Sequence, residues 1–273
     1  MPATRAARDA TGRVGPARFA ATKVPQITLL FWVAKLLTTG MGETTWDWFN
    51  VAMGQTTALT VTGLALVAAL VAQLAMRRYN PWVYWAAVVM VSVFGTAVAD
   101  TAHNDFGVPY TMSTLVLLIV VGAVFALWYL VEGTLSIHSI YTRRREAFYW
   151  AAVLLTFALG TAAGDWTATS LHLGYFPSGI VFLVVFLLPA VAHRWLGLAA
   201  VPAFWLSYIV TRPLGASFAD FMAGPPSRGG LALGMPPISI VLTVLIVAVV
   251  AYFAKTRIDV PRADQSPETI ATS

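Results

Sequence analysis

The chain has 273 residues, of which 58% are hydrophobic and only 11% charged, and its mean hydropathy is positive. So few polar residues cannot cover a water-soluble fold of this length, whereas a bilayer needs no such cover. The net charge of +5 does not point to nucleic acid, because the basic residues fall in short stretches between apolar runs. The lack of cysteine excludes disulfides, thiol catalysis and thiolate metal sites.

Residues 1–26 are polar and basic, carrying Arg5, Arg8, Arg13, Arg18 and Lys23 among small residues. No apolar signal core follows the basic start, so this segment reads as a disordered cytoplasmic tail. Eight helix-length apolar segments come next, at about 27–49, 57–76, 81–103, 112–132, 147–171, 178–195, 201–223 and 236–254. Each approaches the roughly 20 residues that a helix needs to cross a bilayer, and none alternates as a barrel strand would. The expected fold is therefore an all-α integral membrane protein with eight transmembrane helices. Residues 255–273 read as a second disordered tail.

Basic residues set the expected orientation. Apart from Lys35, Arg212 and Arg228, the Lys and Arg residues, 14 of the 17, lie in the two tails or in the loops after the second, fourth and sixth segments. Those regions share one face. The positive-inside rule then places both termini in the cytoplasm.

One pattern occurs four times without a gap: an aromatic residue, Trp, nine residues, Gly, four residues, Asp. The copies are Phe31-Trp32, Gly42, Asp47; Tyr84-Trp85, Gly95, Asp100; Tyr149-Trp150, Gly160, Asp165; and Phe204-Trp205, Gly215, Asp220. Each copy lies in the first helix of a two-helix unit, so the chain divides into four parallel repeats at about 27–78, 79–143, 144–198 and 199–254. The four motif helices are expected inside, with the plain helices around them.

Residues 23–254 resemble a family of bacterial membrane-anchored proteins of unknown function. Chains of that family consist of four tandem repeats, each with two transmembrane segments and a tryptophan. The likeness is carried most by Lys23-Val-Pro-Gln-Ile-Thr through Gly42-Glu-Thr and by Ser136-Ile-His-Ser-Ile-Tyr-Thr-Arg-Arg-Arg-Glu through Gly160-Thr-Ala-Ala-Gly-Asp165. It implies this fold and a bacterial membrane, and it supplies no activity; the expected location is the inner membrane.

Fifteen residues separate each motif Trp from its Asp, about 22 Å of helix. This predicts Trp32, Trp85, Trp150 and Trp205 in an interfacial aromatic belt. Gly42, Gly95, Gly160 and Gly215 are expected to allow close helix contact, or else to break the helix.

The four Asp residues are the candidate functional groups, because ionisable residues within a membrane span are costly and face the protein interior. Steps of four residues stay on one helix face. One step back from each Asp lie Glu43, Thr96, Thr161 and Ala216, and a second step reaches Thr39, Ser92, Phe157 and Arg212. In the first helix a third step reaches Lys35. The acidic group is therefore Glu43, Asp47, Asp100, Asp165 and Asp220, offset by Lys35 and Arg212, with Thr96 and Thr161 as polar neighbours. Asp100 and His103 share a helix face and form a weak candidate for a divalent metal. Glu132 and Glu146 flank Arg143–Arg145 and are expected to pair with them.

The reading that follows is a secondary transporter or channel for a small cation, divalent or proton-coupled, working through an intramembrane acidic cluster. The alternative is a structural or sensory membrane protein without transport. No phosphate-binding loop and no clustered nucleophile stand in the sequence, so neither an enzyme nor a cofactor is expected. The expected partners are the lipid bilayer and a small cation.

Overall fold

A computed structural model describes residues 22–260. Eight long helices are found, with no strand among the described residues: α1 Leu29–Met53, α2 Gln55–Ala75, α3 Pro81–Asn104, α4 Tyr110–Glu132, α5 Arg143–Asp165, α6 Tyr175–Trp195, α7 Ala200–Ala223 and α8 Met235–Thr256. A single π-turn, Trp166–Ser170, prolongs α5.

Local chemistry sets the boundaries. The Thr28 hydroxyl accepts from Phe31 N at 3.2 Å to start α1, and Asn80 accepts from Trp82 N and Val83 N ahead of Pro81 in α3. Thr142 caps α5 through Arg145 N, so this helix starts at Arg143 and not near 147. Gly54, at φ 78°, is the entire link between α1 and α2, and its backbone conformation is one that side chains other than Gly disfavour.

The motif helices α1, α3, α5 and α7 form an inner bundle in cyclic order. α1 packs on α3, α3 on α5, α5 on α7, and α7 back on α1. Each plain helix lies mainly against the motif helix of the following repeat: α2 on α3, α4 on α5, α6 on α7, and α8 on α1. The last repeat thus closes onto the first, and every repeat buries its apolar surface with a neighbour's help.

Six helices are long and apolar enough to cross a membrane: α2, α3, α4, the α5 run through Ser170, α6 and α8. α1 and α7 do not reach the same apolarity. Their buried faces carry Lys35, Thr38, Thr39, Glu43, Thr44 and Thr45, and Ser207, Thr211, Arg212, Ser217 and Asp220, which the other inner helices hide from surroundings of any kind. The outward faces are apolar, with Leu64, Val71, Leu115, Ile119, Val184, Leu188, Val241 and Val244 exposed.

The motif tryptophans are placed differently from the expected belt. Trp85, Trp150 and Trp205 are buried, and Trp32 is half-buried against Phe186 and Phe204, at 5.5 and 5.6 Å between ring centroids. Together with Phe31, Tyr84, Tyr149 and Phe204 they make an aromatic core at the N-terminal end of the inner bundle. Rings of neighbouring motif helices meet there, Phe31 with Trp85 at 5.8 Å, Tyr84 with Trp150 at 5.6 Å, Tyr149 with Trp205 at 6.2 Å and Phe204 with Phe31 at 6.2 Å between centroids, and this packing closes that end of the bundle.

Residues at the inner edges of both expected tails are packed against the bundle. Residues 1–21 and 261–273 lie outside the described residues. Thr22, Lys23 and Val24 are buried, although they fall in the expected amino-terminal tail. Lys23 Nζ donates to Glu146 Oε2 at 2.6 Å and to Leu74 O at 3.2 Å, while Gln73 donates to Glu146 Oε1 at 3.0 Å. Glu146 therefore pairs with Lys23 and not with the arginines beside it, because its helix face turns inward. Glu132 does take Arg144 and Arg145. In the expected carboxyl tail, Asp259 is buried and accepts from the Tyr79 hydroxyl, and its carbonyl accepts from Gln26 N at 2.8 Å.

Candidate functional site

The motif glycines fix the spacing of the inner bundle. A Cβ on Gly95 would lie 2.7 Å from Phe157 Cβ, and one on Gly160 would lie 2.5 Å from Arg212 Cβ. Added to Gly42 or Gly215, it would run into the side chains of Ser92 or Thr39. In each case the glycine meets the next motif helix at the residue eight positions before that helix's Asp. The close-contact role is therefore the one observed, and all four helices run unbroken through their glycines.

With the helices locked in this register, every fourth residue of each points to the bundle axis. Glu43, Thr96, Thr161 and Ala216 form one buried layer, and Thr39, Ser92, Phe157 and Arg212 the next. Below them come Lys35, Val88, Val153 and Tyr208, and then Phe31, Tyr84, Tyr149 and Phe204. All sixteen side chains are buried.

Above these layers the four Asp residues converge. Asp47, Asp100, Asp165 and Asp220, with Glu43, line one cavity of about 480 Å³ at the C-terminal end of the inner helices. His103, Asn104, Tyr110, Thr169, Ser170, Tyr175, Arg228 and Met235 complete its wall. Arg228, from the segment between α7 and α8, stands at the rim of the acidic cavity and donates to the Tyr175 hydroxyl at 3.4 Å.

The five carboxylates are not equivalent. Arg212 donates to Glu43 Oε2 at 2.5 Å, to Thr39 O at 3.2 Å and to the Thr96 hydroxyl. Asp100 accepts from the buried Trp46 Nε1 at 2.8 Å. Among the described residues, no donor is bonded to the carboxylates of Asp47, Asp165 or Asp220. A carboxylate facing a cavity without a protein donor has only water or a cation to satisfy it.

Oxygens of Glu43, Asp47 and Asp220 lie within 4.8 Å of one another, close enough to share one ion. An all-oxygen set of this kind suits Mg²⁺, Ca²⁺ or Mn²⁺. The Asp100–His103 pair is not part of this cluster. His103 Nδ1 bonds Val108 O at 3.0 Å and its ring stacks on Tyr110 at 3.7 Å, which holds the imidazole on the loop and the start of α4. Thr96 joins the Arg212–Glu43 group, whereas the Thr161 hydroxyl bonds back to Phe157 O at 3.2 Å within its own helix.

Lys35 does not share the carboxylate network that its stripe suggested. Its Nζ has no hydrogen-bond partner and sits 3.6 Å from the centroid of Phe157 and 4.1 Å from that of Tyr208. Sequence reasoning also missed Trp46, Tyr110, Tyr175 and Arg228. Tyr110 and Tyr175 are the first residues of α4 and α6, a position shared between repeats that could have marked them.

The fold and cavity define a helical tandem-repeat protein, six of whose described helices are long and apolar enough to cross a membrane, and whose repeats each send one carboxylate to a common site. Residues 30–79, 83–134, 148–197 and 203–259 match the family described as Repeat of Unknown Function (DUF347), and the chain belongs to that family. No curated protein and no solved structure matches it.

Proposed function

We propose that the chain is a multi-pass protein of the bacterial inner membrane that binds and carries a small cation, divalent or proton-coupled, through the acidic cavity. In this reading all eight helices cross the bilayer as four parallel two-helix repeats, α1 and α7 being shielded from lipid by their neighbours. The ends of the described chain lie on the cytoplasmic side, with Arg77, Arg78, Arg143–Arg145, Arg194 and Lys255. Its partners are lipid and the cation, and it performs no covalent chemistry.

One observation carries this reading: four copies of one motif place four Asp residues, and Glu43 with them, around a single cavity. Concentrated carboxylates within an apolar bundle are costly to assemble unless a positive ligand is there to use them. Transport would be secondary or passive, since no nucleotide-binding motif is present in the sequence.

A competing reading has its own observation. Arg212–Glu43 and the aromatic core close the axis beneath the cavity, which suits a structural or sensory protein that binds an ion without passing it.

Flux of Mn²⁺ and of protons into proteoliposomes separates the two, with wild type set against Asp100→Asn and Asp165→Asn. Flux that drops in both variants supports transport along the motif helices. Folded wild-type protein that moves neither ion sinks the transport reading and favours the competing one.

A further inference from the structure

Lys35 is the one buried amine on the bundle axis, and the cation site proposed above leaves it unused. Lys35 is 1% exposed, and its Nζ has no hydrogen-bond acceptor. A buried ammonium without any counterpart would be expensive. Here the faces of Phe157 and Tyr208 supply one, at 3.6 and 4.1 Å from their centroids. Those same apolar faces also accommodate a neutral amine. The pocket thus accepts both protonation states of Lys35, which is the property a proton-binding site requires.

The pocket is joined to the cavity by two residues. Arg212 lies on the same Phe157 ring, its Cζ 5.8 Å from the centroid, so Lys35 and Arg212 are neighbouring positive groups. Glu43 offsets Arg212 through their 2.5 Å contact. Glu43 also belongs to the three-carboxylate cluster with Asp47 and Asp220. One carboxylate therefore serves both the cavity and the arginine beside Lys35.

The other groups facing Lys35 do not compete with this link. From α7 come Tyr208 and Arg212. Tyr149 of α5 and Tyr84 of α3 lie one layer further from the cavity and are bonded to each other at 2.5 Å. α2 carries no ionisable residue, and the ionisable residues of α8, Tyr252 and Lys255, lie near its C-terminal end.

We propose that Lys35 binds a proton in linkage with the acidic cavity, so that a cation entering the cavity expels the proton from Lys35 and the two ligands exchange. This rests on the cation-binding reading of the cavity. With the cavity empty, Glu43 neutralises Arg212, and the Lys35 ammonium is held by the two rings. A divalent ion on Glu43, Asp47 and Asp220 adds positive charge above Arg212 and draws on the Glu43 charge that had offset it. The ammonium then transfers one proton to water and remains as the neutral amine. Linkage is reciprocal, so protonation of Lys35 must weaken cation binding by the same factor. Cation and proton would thereby be coupled in exchange.

The test is calorimetric binding of Mn²⁺ to the purified full-length protein in detergent, across about pH 5 to 9, in buffers of different ionisation enthalpy. Proton release per bound ion is then counted for wild type, Lys35→Met and Lys35→Arg. The carboxylates release protons in all three proteins, so the difference is what matters. At the pH where the difference is largest, both variants should release close to one proton fewer than wild type. Lys35→Arg, which keeps a permanent charge on the rings, should also bind Mn²⁺ about tenfold more weakly than Lys35→Met. If only one variant folds, its proton count alone decides. Equal release in wild type and a folded variant overturns the proposal and leaves the cation site standing. Folded wild type that binds no Mn²⁺ removes the cation reading and this proposal with it.

Discussion

Neutralising Glu43 should unbalance the inner bundle more than any other single change on its axis. Arg212 is 1% exposed and the Glu43 side chain 5%, and their contact is 2.5 Å. Glu43→Gln keeps the shape and a carbonyl acceptor, so the loss falls on the charge. At an effective dielectric near 20, two unit charges about 4 Å apart interact by about 4 kcal/mol. Stranding one member of a buried pair costs about 3–5 kcal/mol by experience elsewhere. Arg212 cannot be rehydrated, because Thr39, Thr96 and Phe157 surround it and its Nε already lacks a partner. Glu43 is different, since it lines the cavity. Arg212→Met should therefore cost less than Glu43→Gln, and the double variant Glu43→Gln/Arg212→Met should be more stable than Glu43→Gln alone. Unfolding by SDS titration in mixed micelles, followed by tryptophan fluorescence, gives the three free energies. A double variant whose loss equals the sum of the two single losses would refute the coupling, and with it the account of Arg212 as the cation that Glu43 holds.

Other outcomes follow from the same geometry. Gly95→Ala puts a methyl 2.7 Å from Phe157 Cβ and should cost about 1–3 kcal/mol in that unfolding assay, whereas Gly122→Ala, with nothing within 4 Å on α4, should be neutral or slightly stabilising. Glu146→Gln strands the buried Lys23 and should cost about 3–5 kcal/mol, while Arg144→Ala should cost under about 1, since that side chain is 68% exposed. Burial raises the Asp259 carboxyl above its ordinary value, although the Tyr79 hydroxyl bonded to it pulls the other way. A raised folded value contributes stability below the unfolded value of about 4 that is lost as pH rises through the folded one. Melting in detergent should show that decline for wild type, and Asp259→Asn should lack it; an identical pH profile for the two would refute this assignment.

The motif spacing made much of this structure legible. Gly to Asp at a constant interval in four copies implies four equivalent helices, and the polar stripe at steps of four correctly placed Glu43, Thr96 and Arg212 on a buried face. Partners were harder to read. Arg212 and Glu43 are 169 residues apart in the chain, and only the closure of α7 onto α1 brings them together. Lys35 lies on the same stripe as Glu43, yet two helical turns separate them, and it turns to rings supplied by α5 and α7. The tryptophans misled for a related reason. An aromatic pair near a helix start is the usual mark of an interface, but four such pairs on four converging helices meet each other before they meet lipid. Lys23 was hidden by its sequence neighbours, since a basic residue next to a polar tail gives no sign of a buried acid on α5.

The asymmetry of the axis bears on what the bundle is for. The glycines that set helix spacing and the Asp residues around the cavity are the same in all four repeats. Below the glycines the layers diverge, with Thr39, Ser92, Phe157 and Arg212 at one level and Lys35, Val88, Val153 and Tyr208 at the next. A bundle held together by its spacing alone has no use for a buried basic residue at one of the four equivalent positions on each of two successive levels, each costly to desolvate. Both basic side chains meet one ring, Phe157, and only Arg212 has a carboxylate. The repeated residues therefore build the container, and the unrepeated ones set the charge beneath it. Replacing Phe157 by Leu separates these two roles. It removes the π face shared by Lys35 and Arg212 while leaving every carboxylate of the cavity in place, so Mn²⁺ should still bind with wild-type stoichiometry and the proton count should change. Loss of Mn²⁺ binding in a folded Phe157→Leu protein would instead show that container and charge cannot be divided in this way.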